Sequence, residues 1–402
     1  NAYLSPVIHR YLQQIRTKLP VLQNAANLLV MTSAGGLVSA DHFNPKDSLL
    51  SGPAGGVVGA GRIARQLDFP RVLTFDMGGT STDAARIAEG YDYRFVTKVG
   101  SAEMLSPSLA IETVAAGGGS ICWFDGNKLS VGPESAGASP GSACYGVGGP
   151  LTITDVNLLL GKLEPSAMGI PVHLDKALAA LHELQQKIVN QTNTHYTEIE
   201  LLQGFEKIAN EKMADAIRKI SVAKGFDPTD YALLAFGGAG GLHACKIANL
   251  LDMKEVILPF DGGLLSAYGI GYARIERLAE RQVLQLFRDC KSRLPQILEE
   301  LTANARSALQ QQGYNSDETE IVHRFVYLRF KGQDSTLELD FEDTESLLQD
   351  YEKQYRQLFG HYPDGRIVEV ESAKVIVGTK IPPVSRPVKK IPPHIAPVFK
   401  TH

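Results

Sequence analysis

The chain is 402 residues long, 44% hydrophobic and 21% charged, a balance that excludes wholesale disorder; at ~150 residues per domain it implies two or three domains. Forty Lys and Arg against 44 Asp and Glu leave a net charge of −4, which supplies no bulk cationic field for nucleic acid or an anionic membrane surface. No apolar run approaches the ~20 residues of a membrane helix. Cys122, Cys144, Cys245 and Cys290 show neither C-x-x-C nor Cys/His ligand spacing, so reduced thiols and a cytoplasmic setting are expected. The chain opens at Asn1 with no Met and no basic-then-apolar leader, and reads as a piece of something longer.

In chain order, Pro6–Leu19 has the pattern of an amphipathic helix and Leu28–Thr32 that of a strand. Ser51–Ala60 is a small-residue helix start. Val72–Phe75 and Ala84–Ile87 read as strands, and Val172–Gln191 as a helix. A second helix is expected over Glu198–Lys224, with Leu201, Phe205, Ile208, Met213, Ile217 and Ile220 on a core face and Gly225 and Pro228 as its stop. Tyr231–Phe236 is an apolar strand, and Ala244–Leu251 continues with helical character. The last third predicts a strand at Val283–Phe287, a helix at Leu294–Gln312, strands at Val322–Phe330 and Leu337–Phe341, a helix at Thr344–Phe359 and a strand at Arg366–Gly378. That β-α-β-β-α-β order suits a small split βαβ domain. From Ile381 onward, six prolines in 22 residues suggest an extended strap or linker. The whole is an α/β pattern.

The chemistry concentrates where glycines cluster. Val72–Phe75 ends in Asp76 and runs into Met77-Gly78-Gly79-Thr80-Ser81-Thr82-Asp83. Such a hairpin can aim consecutive N–H groups at a phosphate, with no side chain in the way at the two glycines. Thr80, Ser81 and Thr82 add hydroxyl donors, and Asp76 at the strand end can hold Mg2+ through its water shell. Asp83 either orients Thr80 or a water, or caps the turn. The plain alternative for the whole stretch is a tight hairpin.

A second cluster, Gly237-Gly238-Ala239-Gly240-Gly241, links the Tyr231–Phe236 strand to a helix, an arrangement that cradles nucleotides on free helix N–H groups. The G-x-G-x-x-G spacing fails because His243 stands at the third glycine position, and there is no G-x-x-x-x-G-K-[ST] loop, so nicotinamide and P-loop assignments are weak. His243 is either a phosphate or substrate ligand or a satisfied structural group. Gly117-Gly118-Gly119-Ser120, with Glu112 and Thr113 just before it, is either an anion or substrate loop or a tight strand connection. Cys144 lacks a nearby activating His and reads as a buried thiol. Glu134 and Asp155 are lesser candidates.

The order of the small-residue helix, the Asp76 hairpin and the Gly237 loop resembles the second half of the actin-like ATPase superfamily, which includes sugar kinases and heat-shock chaperones. More specifically, the chain resembles the hydantoinase A and 5-oxoprolinase family. The residues that carry this are Met31–Leu37, Ser51–Gly56, Phe75–Asp83, Ala116–Ile121, Val131–Ala138, Gly141–Gly146, Thr154–Asn157 and Phe236–Ala244. Three departures stand out. The family's first Asp-x-Gly-Gly-Thr hairpin is not present, Tyr355 stands where relatives often carry His, and Lys374 stands where Arg is expected.

The resemblance implies ATP and Mg2+ as cofactors and a cyclic amide, of 5-oxoproline or hydantoin type, as substrate. Its carbonyl oxygen would be phosphorylated and hydrolysis completed by a B-type subunit or fused half, so that this fragment alone is inactive. Asp76 and Asp83 would be catalytic, Asp76 also holding the Mg2+ waters. Gly78, Gly79, Thr80, Ser81 and Thr82 would hold phosphate, and Gly237, Gly238, Gly240 and Gly241 the adenosine side. Gly118, Gly119, Ser120 and His243 would face substrate. The fold implied is 1–70 as the end of a first actin-like lobe with the crossing helix, 71–270 as a second lobe, 271–380 as an α+β domain and 381–402 as a tail. An oligomer is expected. Two other readings stay open: an ATP-dependent, acetone-type ketone carboxylase subunit, and a non-catalytic subunit whose assembly responds to nucleotide.

Overall fold

The structure, a computed structural model, describes residues 3–19, 28–41, 43–88, 90–99, 102–363 and 365–381. Helix α1 (Leu4–Lys18) is followed by a small hairpin of β1 (Leu29–Met31) and β2 (Leu37–Ser39), then by α2 (Ser51–Gln66). Next come β3 (Val72–Met77), β4 (Thr82–Ile87), a ribbon of β5 (Tyr93–Val99) with β6 (Ala102–Leu109), and β7 (Ile111–Val114). A second ribbon, β8 (Ser120–Phe124) with β9 (Leu129–Ser135), precedes α3 (Ile153–Leu159), α4 (Leu174–Thr192) and α5 (Glu198–Ile220). Then follow β10 (Ala232–Phe236), α6 (Gly240–Leu250), β11 (Val256–Ile257) and α7 (Leu265–Tyr272).

The mixed sheet that carries the glycine motifs has the order β11-β10-β3-β4-β7, with β10 parallel to β3 and β11, and β4 antiparallel to β3 and β7. Strand side chains alternate between faces. Leu73, Phe75 and Met77 therefore join the core built with Val156, Phe205, Met213 and Ala244 of α3, α5 and α6. Val72, Leu234 and Phe236 join the opposite core with Val57 and Ala60 of α2. Burial on both faces explains why β3 and β10 read as nearly unbroken apolar runs. Helices α2 and α7 cross backbone to backbone: a Cβ on Gly59 would lie 2.5 Å from the carbonyl oxygen of Leu265.

Beyond α7 lie β12 (Glu276–Leu286), a short α8 (Phe287–Cys290), α9 (Leu294–Gln310), β13 (Thr319–Phe330), β14 (Leu337–Asp340), α10 (Leu347–Phe359) and β15 (Val368–Thr379). Their sheet runs β12-β15-β13-β14 with every pairing antiparallel. β12 and β13 are thus parallel with β15 between them, and β14 and β15 are parallel with β13 between them. Both helical crossovers are split βαβ units. Tyr355 is buried in a ring cluster, its centroid 5.1 Å from that of Phe330 and 5.8 Å from that of Tyr362.

Several bounds differ from expectation for identifiable reasons. Helix α5 starts at Glu198 under a capping box, the Glu200 carboxylate accepting the Thr197 N–H at 2.8 Å. It ends at Ile220 rather than Lys224, because the Ser221 hydroxyl donates back to the Ile217 carbonyl at 2.6 Å and the chain tightens into a 3-10 turn over Val222–Lys224. The strand expected from Val283 begins at Glu276, and Phe287 opens a helical turn instead of ending it. Charged residues at Glu276, Arg277, Glu280 and Arg281 hid its start. The two ribbons, α3 and α7 were not anticipated; α7 (LSAYGIGY) has no polar face and so shows no helical period. The proline-rich stretch beyond Ile381 lies outside the described residues. Among the described residues no helix is long and apolar enough to cross a membrane, and all four cysteines are free.

Candidate functional site

Strands β3 and β4 place Asp76 directly opposite Asp83, and β4 with β7 places Asp83 opposite Thr113. Directly paired residues share a sheet face, so two carboxylates and a hydroxyl form one row. The Thr113 hydroxyl donates to Asp83 Oδ1 at 2.5 Å. Partial burial, together with the Asp83 charge, pushes the Asp76 carboxyl up to about 6. Asp83 is also raised by burial, an effect opposed by the Thr113 hydrogen bond.

Beyond this pair and the Met77–Thr82 rung, Gly78-Gly79-Thr80-Ser81 forms the turn, closed by a hydrogen bond from the Gly78 N–H to the Ser81 carbonyl at 3.0 Å. Gly78, Gly79 and Thr80 are exposed. Among the described residues no hydrogen bond is made by the N–H of Gly79, Thr80 or Ser81. Successive unpaired backbone donors at a turn are the element from which anion-binding nests are built.

The loop Gly117–Ser120 lies directly on this turn. The N–H groups of Gly118 and Gly119 donate to the carbonyls of Gly78 and Gly79, at 3.0 and 2.6 Å. Gly117 approaches so closely that a Cβ there would sit 2.7 Å from the Ser81 nitrogen. Gly118, Gly119 and Ser120, expected to face substrate, are instead buried. The Ser120 hydroxyl accepts from the Gly117 N–H at 2.8 Å, and the Gly118 carbonyl accepts from the N–H and hydroxyl of Thr154. This loop braces the hairpin. Thr82 is likewise corrected: it is fully buried and its hydroxyl donates to the Ala116 carbonyl at 2.6 Å, leaving Thr80 and Ser81 as the hydroxyls at the turn.

The second glycine loop meets the hairpin from the other side. Phe236 pairs with Asp76, and the Ala239 N–H donates to the Met77 carbonyl at 3.1 Å. Gly237 has φ +80, and a Cβ there would contact Asp76 Oδ1 and lie 2.5 Å from the Met77 carbonyl oxygen. Only glycine satisfies both the conformation and the space. Gly238 and Gly241 are exposed, whereas Gly240 is buried at the start of α6.

His243 sits one turn into α6 and is fully buried. Its Nδ1 meets Asn210 Oδ1 at 2.7 Å and its Nε2 meets Asn157 Nδ2 at 3.0 Å, so neither ring nitrogen is left for a substrate. Burial, aided by Lys162, depresses its pKa to about 4, which keeps the ring neutral. Asp155, also fully buried, accepts from the N–H groups of Cys144 at 2.7 Å and Thr152 at 2.8 Å and from the Thr152 hydroxyl at 2.8 Å. Cys144 is buried beside it, its thiol pushed up to about 12 by burial and the Asp155 charge. Glu112 pairs with Lys219 at 3.0 Å and Arg94 at 3.4 Å, and Glu134 is exposed. Asn157 ends one of the segments that carry the family resemblance, but its contact with His243, like that of Asn210, had no readable signal, since it depends on helices meeting in space. Among the described residues no group of three His, Cys, Asp or Glu side chains is placed to hold a metal ion.

The chain is similar to a 5-oxoprolinase of Dictyostelium discoideum, with 35% identity over 94% of this chain and 32% of that protein. It is similar to the caprolactamase subunit alpha of Pseudomonas jessenii, with 31% identity over 96% of this chain and 57% of the relative. The crystal structure of the ATP-dependent caprolactamase from that organism superposes with a TM-score of 0.82 at 27% identity, over 97% of this chain and 59% of that one. The chain therefore spans about a third of the length of the curated 5-oxoprolinase, 32%, and somewhat over half of the caprolactamase subunit, 57%. Residues 1–279 match the hydantoinase/oxoprolinase family, and the chain belongs to it.

Proposed function

We propose that this chain is the ATP-binding, kinase-like part of an ATP-dependent cyclic-amide hydrolase of 5-oxoproline or hydantoin type. The observation that carries the reading is the exposed Gly78–Ser81 turn, with three unpaired N–H groups set beside the Asp76–Asp83 pair. In this reading residues 1–70 end a first actin-like lobe, 71–270 form a second, 271–380 an α+β domain and 381–402 a tail. The setting is cytoplasmic and the assembly oligomeric.

The N–H groups of Gly79, Thr80 and Ser81, with the hydroxyls of Thr80 and Ser81, bind phosphate oxygens. The backbone at Gly237 and Gly238 lies at the adenosine side. Two facing carboxylates, one with its pKa raised by burial and by the other's charge, fit a hydrated divalent cation. Mg2+ bound there supplies charge neutralisation to the transferred phosphoryl group. Asp83, steadied by Thr113, orients the water shell or Thr80. An amide carbonyl is a poor electrophile; moving a phosphoryl group from ATP to its oxygen creates a leaving group and a carbon that water attacks. The chain's own task is positioning and charge neutralisation. A B-type subunit or fused half completes the hydrolysis.

The test is ADP release by the full-length natural protein mixed with its B-type partner, offered 5-oxoproline, hydantoin, or acetone with bicarbonate. Stimulation by a cyclic amide, lost in Asp76→Ala, is expected. Stimulation by the ketone alone moves the assignment to a carboxylase. No stimulation, with partner assembly still responding to nucleotide, moves it to an assembly subunit.

A further inference from the structure

Two segments noted in the sequence, the Ala34–Gly36 loop and the strand carrying Lys374, meet at a cavity of about 760 Å3. It shares no lining residue with the Gly78–Ser81 turn or with the loops at 117–120 and 237–241. A volume of that order is ample for a small organic ligand.

The floor of the cavity is one face of the C-terminal sheet. Leu278 pairs with Ile376, Glu280 with Lys374, and Gln282 with Ser372, so these side chains point the same way. The alternate residues turn toward α9, as the ion pairs Arg281–Glu300 and Arg324–Glu299 record. The facing wall is the β1–β2 loop with Lys46 and Asp47. Gly36 lets this wall close, because a Cβ there would lie 2.7 Å from the Glu276 carboxylate.

Lys374 is the central cation. Its side chain is only 12% exposed, with Nζ 3.4 Å from Glu280 Oε2 and 4.7 Å from the centroid of the Tyr327 ring. Side chains of both signs border the cavity, Lys46, Arg329 and Lys374 among the cations and Asp47, Glu280 and Glu371 among the carboxylates, with Val38, Leu278 and Ile376 supplying apolar surface. A lining that sets carboxylates among its cations is a poor host for a polyanion such as a nucleotide. It suits a ligand bearing both charges on a short carbon skeleton, because each charge then meets its opposite instead of being desolvated alone.

We propose that this cavity is a second small-molecule site, and that it takes a free amino acid. The ligand's carboxylate lies beside Lys374 and Arg329 and its ammonium beside Glu280 and Glu371. Adding water across a lactam C–N bond yields such a molecule, a carboxylate and an ammonium on one skeleton, so the occupant is assigned as the ring-opened product. Only that last assignment rests on the lactam reading.

The test is calorimetric titration of the protein, without nucleotide, with L-glutamate and with 6-aminohexanoate, and with glutarate and butylamine as ligands of one charge type. Saturable binding of at least one amino acid is expected, tenfold or more tighter than either control, unaffected by saturating ATP, and weakened at least tenfold by Lys374→Gln and by Glu280→Gln. The Glu280 side chain is 62% exposed, so its variant keeps the test decisive if Lys374→Gln does not fold. Absence of saturable amino-acid binding, equal binding of a control, displacement by ATP, or full retention in the variants overturns the site. Binding without lactam-stimulated ADP release keeps the site and removes the product assignment; the reverse removes the site alone.

Discussion

Asp76 and Asp83 face one another across the β3–β4 hairpin, two rungs below an exposed glycine turn, and burial together with the Asp83 charge raises the Asp76 carboxyl to about 6. Folding thus holds two like charges together where neither is fully hydrated.

The sign of the effect follows from linkage. Folded Asp76 holds its proton more tightly than the unfolded chain does, so this contribution favours the folded state below pH ~4 and is lost as pH rises through about 6. Asp76→Asn should therefore match wild type near pH 4 and exceed it by about 1–3 kcal/mol at pH 7.5. Urea unfolding across that range measures it; an offset independent of pH would remove the charge explanation.

Gly79 and Gly237 differ in what the fold asks of them. A Cβ at Gly79 meets nothing within 4 Å, and its φ is not positive. Gly79→Ala should change stability by no more than about 0.5 kcal/mol while weakening ATP tenfold or more. Gly237→Ala, by contrast, combines φ +80 with a contact against Met77 and should cost about 1–3 kcal/mol in stability. Thermal melts alongside equilibrium binding of an ATP analogue report both; undiminished affinity in Gly79→Ala would place the phosphates elsewhere.

His243 tests the buried polar seam between α3, α5 and α6. Replacing it with Leu strands Asn157 and Asn210, with an expected loss of about 2–4 kcal/mol at pH 7.5. Because the folded pKa is depressed to about 4, the wild-type contribution is present above pH 6.5 and is lost as pH falls from there through about 4. The gap between variant and wild type should narrow accordingly, with ATP affinity of the folded variant unchanged. A selective loss of ATP affinity in a stable variant contradicts a structural role.

Asp155 ties the loop before α3 to the loop around Cys144. An amide in its place presents a donor to N–H groups that need an acceptor, so Asp155→Asn should cost about 2–4 kcal/mol. Amide exchange should quicken first at Cys144 and Thr152. Uniform exchange across the chain would show that the loops are held by something else.

By itself the sequence determined the local parts: strand β3 running into a glycine and hydroxyl turn, the apolar face of α5 under its Thr197 cap, and the β-α-β-β-α-β order of the last third. These follow from propensity and periodicity within a few turns or rungs of chain. The tertiary structure alone decided which of the glycine-loop residues are exposed at the turn and which are buried beneath it. Ser120 and Thr82 turn inward because Gly117–Ser120 stacks on the hairpin carbonyls, a contact set by strand register. His243 is closed off by Asn210 and Asn157, 33 and 86 positions away in the chain. The cavity at Lys374 exists because Gly36 meets Glu276 across 240 residues of chain. Contacts at such separations arise only when whole elements pack, and no spacing rule within one segment encodes them.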